Sequence, residues 1–192
     1  LLFASALSLI GLLTALRTRY LWLLSFSNLI ASIFLFILIL SPGMQSGALM
    51  PALQSAWFPP HVACYITSYS ILGVATLLSL KQIRDNRKDG SWRLMPVLDA
   101  VVRLGFAFLV LGLITGAVWA KQAWGDYWAW DPKETWAFIT VSAYLVYIHL
   151  RARRVLTRGT LGLLTVAFLL LLITWLGMSF IPAAQTSVHV YS

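Results

Sequence analysis

Six apolar runs divide the chain, at roughly 1–16, 20–40, 61–80, 94–120, 134–150 and 161–181. Most approach the about 20 residues that a helix needs to cross a bilayer, and the first and fifth are short. The pattern predicts an all-α fold, a polytopic transmembrane helical bundle of about six spans. No internal repeat or low-complexity segment interrupts it, so residues 1–192 read as a single domain.

The polar segments between the runs predict orientation. Arg17 and Arg19, then Lys81, Arg84, Arg87, Lys88 and Arg93, then Arg151, Arg153, Arg154 and Arg158 occupy alternate loops. The other loops contain only Lys121 and Lys133. Basic loops face the cytoplasm. Segment 41–60, the loop ending near residue 133 and the C-terminal tail are therefore expected together on the extracytoplasmic side.

Composition agrees: 60% of residues are hydrophobic and 10% charged, which excludes an ordinary soluble domain. The net charge of +8 suggests nucleic acid at first sight. Nine of the fourteen basic residues, however, lie in segments 81–93 and 151–158, where they report topology instead. The single cysteine, Cys64, excludes an internal disulfide, a CxxC pair and a thiolate zinc site, and reads as a small buried hydrophobe. The chain starts inside an apolar run without a positive n-region or an A-x-A site, and is expected to be a piece of a longer polypeptide, or its ordered part, with no signal peptide.

Two local features refine the spans. Segment 41–60 carries Pro42, Gly43, Gly47, Pro51, Pro59 and Pro60 with Trp57 and Phe58, and predicts a lid-like loop or a short interfacial helix. Pro60 falls in the first turn of the third span, which places His61 at its outer end. In the fourth span Asp99 and Arg103 are spaced i,i+4, where opposite charges share a helix face. They read as a structural pair near the inner leaflet, with a catalytic pair as the alternative.

The chemistry concentrates in one loop. Residues 124–136, WGDYWAWDPKETW, hold Trp124, Trp128, Trp130 and Trp136 among acids, a glycine and a proline. Interfacial tryptophans usually come singly or in pairs as a belt. Four together offer a flat apolar surface with polar handles, suited to a large planar ligand such as haem. Three histidines bear on that idea. His61 and His189 fall on the same side as the loop, 128 residues apart, and two imidazoles on opposite faces of a porphyrin make a bis-His iron site. Either one can equally be a polar residue at the headgroup level. His149 lies thirteen residues beyond Trp136, roughly 20 Å along a helix, and so belongs to the inner end. It is either an intramembrane functional group or a side chain that snorkels to the inner headgroups beside Arg151.

These residues resemble a known family. The run from Trp124 to Trp136 closely resembles the WWD signature of cytochrome c assembly proteins, and is most similar to the CcsA/ResC type of the system II cytochrome c synthase. Leu98-Asp99-Ala100, the stretch Gly112 to Ala120 and Tyr147-Ile148-His149-Leu150-Arg151 carry the likeness further, so that residues 94–151 are densely covered. Two positions depart from the pattern: Cys64 stands where methionine is expected, and the tail reads Val188-His189-Val190-Tyr191.

The resemblance implies a protein that receives haem b, or moves it across the membrane, and presents it at the outer face for thioether attachment to a CxxCH apocytochrome c. It implies His61 and His189 as ligands of the outer haem iron. Trp124, Trp128, Trp130 and Asp131 become the platform, with Trp136 closing the motif, and His149 a member of an inner haem site. A partner subunit or fused domain of the CcsB/ResB type would complete that inner site. Lys121, Lys133 or a cytoplasmic arginine would pair a propionate. No nucleophile–base pair is visible, which suits positioning of haem rather than covalent catalysis. The membrane is then a bacterial inner membrane or a thylakoid. Two other readings stay open: a relative that delivers haem to a carrier, and a transporter whose tryptophans are only a belt.

Overall fold

Prolines open three of the described helices and glycines close two of them. The computed structural model describes residues 2–18 and 51–176. The described residues form five α-helices: α1 (Leu2–Thr18), α2 (Phe58–Asp89), α3 (Met95–Trp124), α4 (Pro132–Ala152) and α5 (Arg158–Trp175). A short 3-10 turn, Pro51–Gln54, precedes α2. Pro59 and Pro60 occupy the first turn of α2, where a missing N–H costs nothing. The helix ends at Gly90, whose φ of 71° lets its N–H reach the Asn86 carbonyl. Gly125 closes α3 in the same way at φ 94°. The second expected span, residues 41–50 of the outer segment, and the tail with His189 lie outside the described residues.

Three of the five helices, α2, α3 and α5, are long and apolar enough to cross a membrane. The fold is thus all-helical and of membrane type. The expected fifth run forms α4, but Thr140, Ser142, Tyr144, Tyr147 and His149 dilute its apolar content, and it does not reach the measure those three meet.

The centre of the bundle is α2, which packs on α1, α3 and α5, while α4 packs chiefly on α5. The α2–α3 hairpin is tight because α3 presents glycines. A Cβ added at Gly105 would lie 2.7 Å from Leu72, one at Gly112 3.1 Å from the Tyr65 ring, and one at Gly116 2.6 Å from the His61 ring. Close approach of this kind is how helices pack in lipid. It also brings polar side chains of α2 onto backbone carbonyls of α3: Ser68 Oγ donates to the Gly105 carbonyl at 2.8 Å, and His61 Nδ1 bonds that of Gly112 at 2.9 Å. The two rungs are seven residues apart on each helix.

At the end of the bundle away from the tryptophan loop, expected to be the inner one, one expectation is corrected. Asp99 does not pair with Arg103 on its own helix; it pairs with Arg151 of α4. Arg151 Nε lies 3.0 Å from Asp99 Oδ1 and Nη2 2.8 Å from Oδ2, and the Tyr147 hydroxyl donates to Oδ1 at 2.9 Å. A planar guanidinium matches a carboxylate with two parallel bonds, a fit that a flexible i,i+4 pair rarely matches.

Candidate functional site: an aromatic cavity beneath the tryptophan loop

A cavity of about 300 Å³ opens at the end of the bundle that carries the tryptophan loop, walled by α2, α3, α4, α5 and that loop. His61 is one pole of its wall, held on several sides. Its Nδ1 faces the Gly112 carbonyl, so the neutral ring carries its proton there and its lone pair on Nε2. Its face stacks on Trp119 at 5.3 Å, and the Tyr65 ring meets it edge-on at 4.8 Å. Gly116 leaves room for the ring. An imidazole with Nδ1–H fixed on a carbonyl is the arrangement that orients Nε2 toward a metal.

Below His61 an aromatic row continues down α2. Tyr65 and Tyr69 follow at intervals of four, their rings 5.4 Å apart, and Trp175 of α5 meets Tyr69 at 5.5 Å. Trp119 is almost fully buried, donates its indole N–H to the Ala52 carbonyl at 2.8 Å and meets Phe58 and Trp124. The turn at Pro51–Gln54 is tied to the outer end of α3 by that bond and by Ser55 to Gln122 at 2.6 Å.

The loop has two faces. Trp128 lines the cavity, and its buried indole N–H has no acceptor among the described residues. Trp130 points away and is 65% exposed, edge-on to Trp128 and to Phe138. Its φ of 55° is a left-handed backbone that a bulky residue rarely adopts, and such strain collects at functional sites. Asp131 is buried and caps α4: its carboxylate accepts the N–H groups of Lys133 and Glu134, while Glu134 accepts that of Asp131. The Asp-Pro-Lys-Glu run is therefore a capping box, with proline at the first helical positions. Glu134 also accepts the Ala129 N–H at 2.8 Å.

Lys133 lines the same cavity as His61. Burial pushes its pKa below the usual lysine value, partly offset by the Asp131 charge. Lys121 instead lies exposed, bonds the Gly125 carbonyl and approaches the Tyr127 ring.

The structure thus brings together His61, Trp128 and Lys133. Trp124 is not among the cavity-lining residues but meets Trp119, which is, and Trp136 lies half-buried near the start of α4, off the cavity wall. His149 is elsewhere, near the inner end of α4, exposed among the described residues, with Nδ1 on the Leu145 carbonyl at 2.9 Å. Tyr65, Tyr69, Trp119 and Trp175 escaped the sequence reading. The i+4 and i+8 spacing from His61 was the signal for the two tyrosines, whereas nothing local marks Trp119 as a partner of His61.

A helical bundle with three helices long and apolar enough to cross a membrane, and a half-buried imidazole at an indole-lined cavity near one end, defines a class: helical membrane proteins with an aromatic pocket. The chain belongs to the cytochrome c assembly protein family, whose sequence profile matches residues 1–184. Cytochrome c biogenesis protein CcsA of Chlamydomonas reinhardtii is 41% identical over 151 residues, covering 71% of this chain and 42% of that protein. CcsA of Cuscuta exaltata is 36% identical over 178 residues, covering 74% of this chain and 58% of its own length. CcsA of Prochlorococcus marinus is 36% identical over 174 residues, with shares of 71% and 55%. The chain spans about half the length of these relatives.

Proposed function

We propose that this chain is the haem-handling membrane part of a holocytochrome c synthase, presenting haem b on its outer side for attachment to a CxxCH apocytochrome c. The observation that carries the reading is His61: an imidazole with Nδ1 bonded to a backbone carbonyl and its face stacked on an indole, at the wall of a largely apolar cavity. The residues fit haem. Aromatic faces bury a macrocycle, and a half-buried ammonium faces the same space. The contribution of the chain is to hold the ring and exclude water while substrate thiols add to the vinyl groups.

His189 is the second ligand of the outer iron in this account, and the alternation of basic loops supports a cavity on the extracytoplasmic side of six spans. His149 belongs to an inner site completed by a partner or fused domain of the CcsB/ResB type. Its exposure on α4, beside exposed Leu145 and Val146, supports a partner there. The account is tested by co-expressing the intact protein and its partner with a CxxCH apocytochrome and measuring thioether-bound haem. Haem bound by the membrane protein with no thioether product favours delivery to a carrier. A colourless protein without a Soret band removes haem altogether.

A further inference from the structure

We propose that Lys133, assisted by the indole N–H of Trp128, is the seat for a porphyrin carboxylate, so that the cavity reads the acidic edge of its ligand separately from the metal. The proposal rests on the haem reading above and adds a subsite to it.

Three observations converge. Lys133 and Trp128 line the same cavity as His61, from the loop and the start of α4. The Lys133 ammonium makes no ion pair and no side-chain hydrogen bond among the described residues, although burial penalises its charge. A half-buried charge without a partner is costly, and such groups are normally paired or poised for a ligand. The Trp128 N–H is a second buried donor without an acceptor in the same wall. Two such donors on residues that line one largely apolar cavity ask for an acceptor carrying negative charge.

Of the neighbouring carboxylates, Asp131 offsets part of the burial cost by its charge, but no ion pair to Lys133 is formed among the described residues. Asp131 Oδ1 accepts the Lys133 and Glu134 backbone N–H groups at 2.8 and 3.4 Å. Glu134 Oε2 is held by Ala129 N at 2.8 Å and Asp131 N at 3.2 Å. Both acids are turned onto backbone at the positive end of α4, which takes up part of their charge. Lys133 is left to face the cavity. The geometry also separates it from Lys121, whose ammonium is already engaged with the Gly125 carbonyl.

The test uses two probes on the intact protein, freed of haem in detergent: haemin, and haemin dimethyl ester, which keeps iron and ring but lacks carboxylates. Lys133→Met is expected to weaken haemin by about ten- to a hundredfold, the worth of one charge-assisted hydrogen bond, and to leave the ester within about twofold. Trp128→Phe, which keeps an aromatic face, is expected to show the same selectivity at smaller size. Lys133→Arg keeps the charge, serves as the folding control and should retain the preference for haemin. Equal weakening of both probes by Lys133→Met, or no weakening of either, overturns the carboxylate seat while leaving porphyrin binding intact. Failure of the unmodified protein to bind either probe overturns the haem reading and the seat with it.

Discussion

The two ends of the bundle handle polar groups in opposite ways. At the inner end they are spent on one another. Arg151 binds Asp99 through two nitrogens, Tyr147 donates to the same carboxylate, and Arg151 Nη1 reaches the Val155 carbonyl at 3.2 Å. Gln82 bridges the α2–α3 turn, donating to the Ser91 carbonyl and accepting from Leu94 N, both at 2.7 Å. Arg158 Nε donates to Asn86 at 2.8 Å. At the outer end an indole N–H and an ammonium are left over, and a tryptophan is held at positive φ. A network closed on itself supports a fold. Groups held open, at a cost in stability, mark the place where something else binds.

Arg151→Leu should break this contrast from its stable side. It leaves the half-buried Asp99 carboxylate without its partner, with an expected cost of about 3 kcal/mol in detergent denaturation, while haem that remains bound keeps its spectrum. A comparable loss of haem binding at unchanged stability would show that the inner network is part of the ligand site.

Gly116→Ala attacks the open side. Its methyl would meet the His61 ring at 2.6 Å, and overpacking of this kind costs about 2 kcal/mol. The displaced imidazole should alter the absorption spectrum of bound haem. In a His61→Gly background the same methyl has no ring to displace, so the stability cost and the spectral change should both shrink sharply. Additive effects in the double variant would point to the helix packing and not to the histidine.

Trp128→Ala should lower haem affinity by about tenfold, or about 1.4 kcal/mol, and Trp128→Phe by less. Trp130→Ala, on the exposed face, should have the smaller effect of the two alanine variants. The reverse order would exchange the roles of the two loop faces.

Asp131→Ala is expected to cost about 1 kcal/mol, through loss of the α4 cap, with Asp131→Asn recovering most of it. The acid in the tryptophan motif then acts on haem by fixing the loop. If Asp131→Asn loses haem as fully as Asp131→Ala, the carboxylate charge itself is required.

The sequence showed the helical class plainly, because runs of Leu, Ile, Val and Phe with basic loops have few other solutions. The start of α2 was legible too, in Pro59-Pro60, but its end was not: the apolar run stops near residue 80 while the helix continues through its basic residues to Gly90. Nor were the tertiary partners legible. Asp99 had a plausible partner four residues away, and only packing of α4 near the end of α3 brings Arg151 closer. In the site, His61 and the tryptophan cluster stood out by residue type. Asp131 looked like a ligand-facing acid because a capping box and a polar handle read alike in sequence; the backbone N–H groups it accepts appear only in the folded loop. Trp119 was hidden because its importance lies in stacking on a residue of another helix.

The central claim, that His61 supplies a nitrogen to haem iron at the outer end, has a direct measurement. The absorption spectrum of the purified intact protein should report low-spin, six-coordinate haem. His61→Gly should turn it high-spin, and millimolar imidazole should restore the original spectrum by entering the vacated space. An unchanged low-spin spectrum in His61→Gly, with full haem content and no added imidazole, would contradict the account.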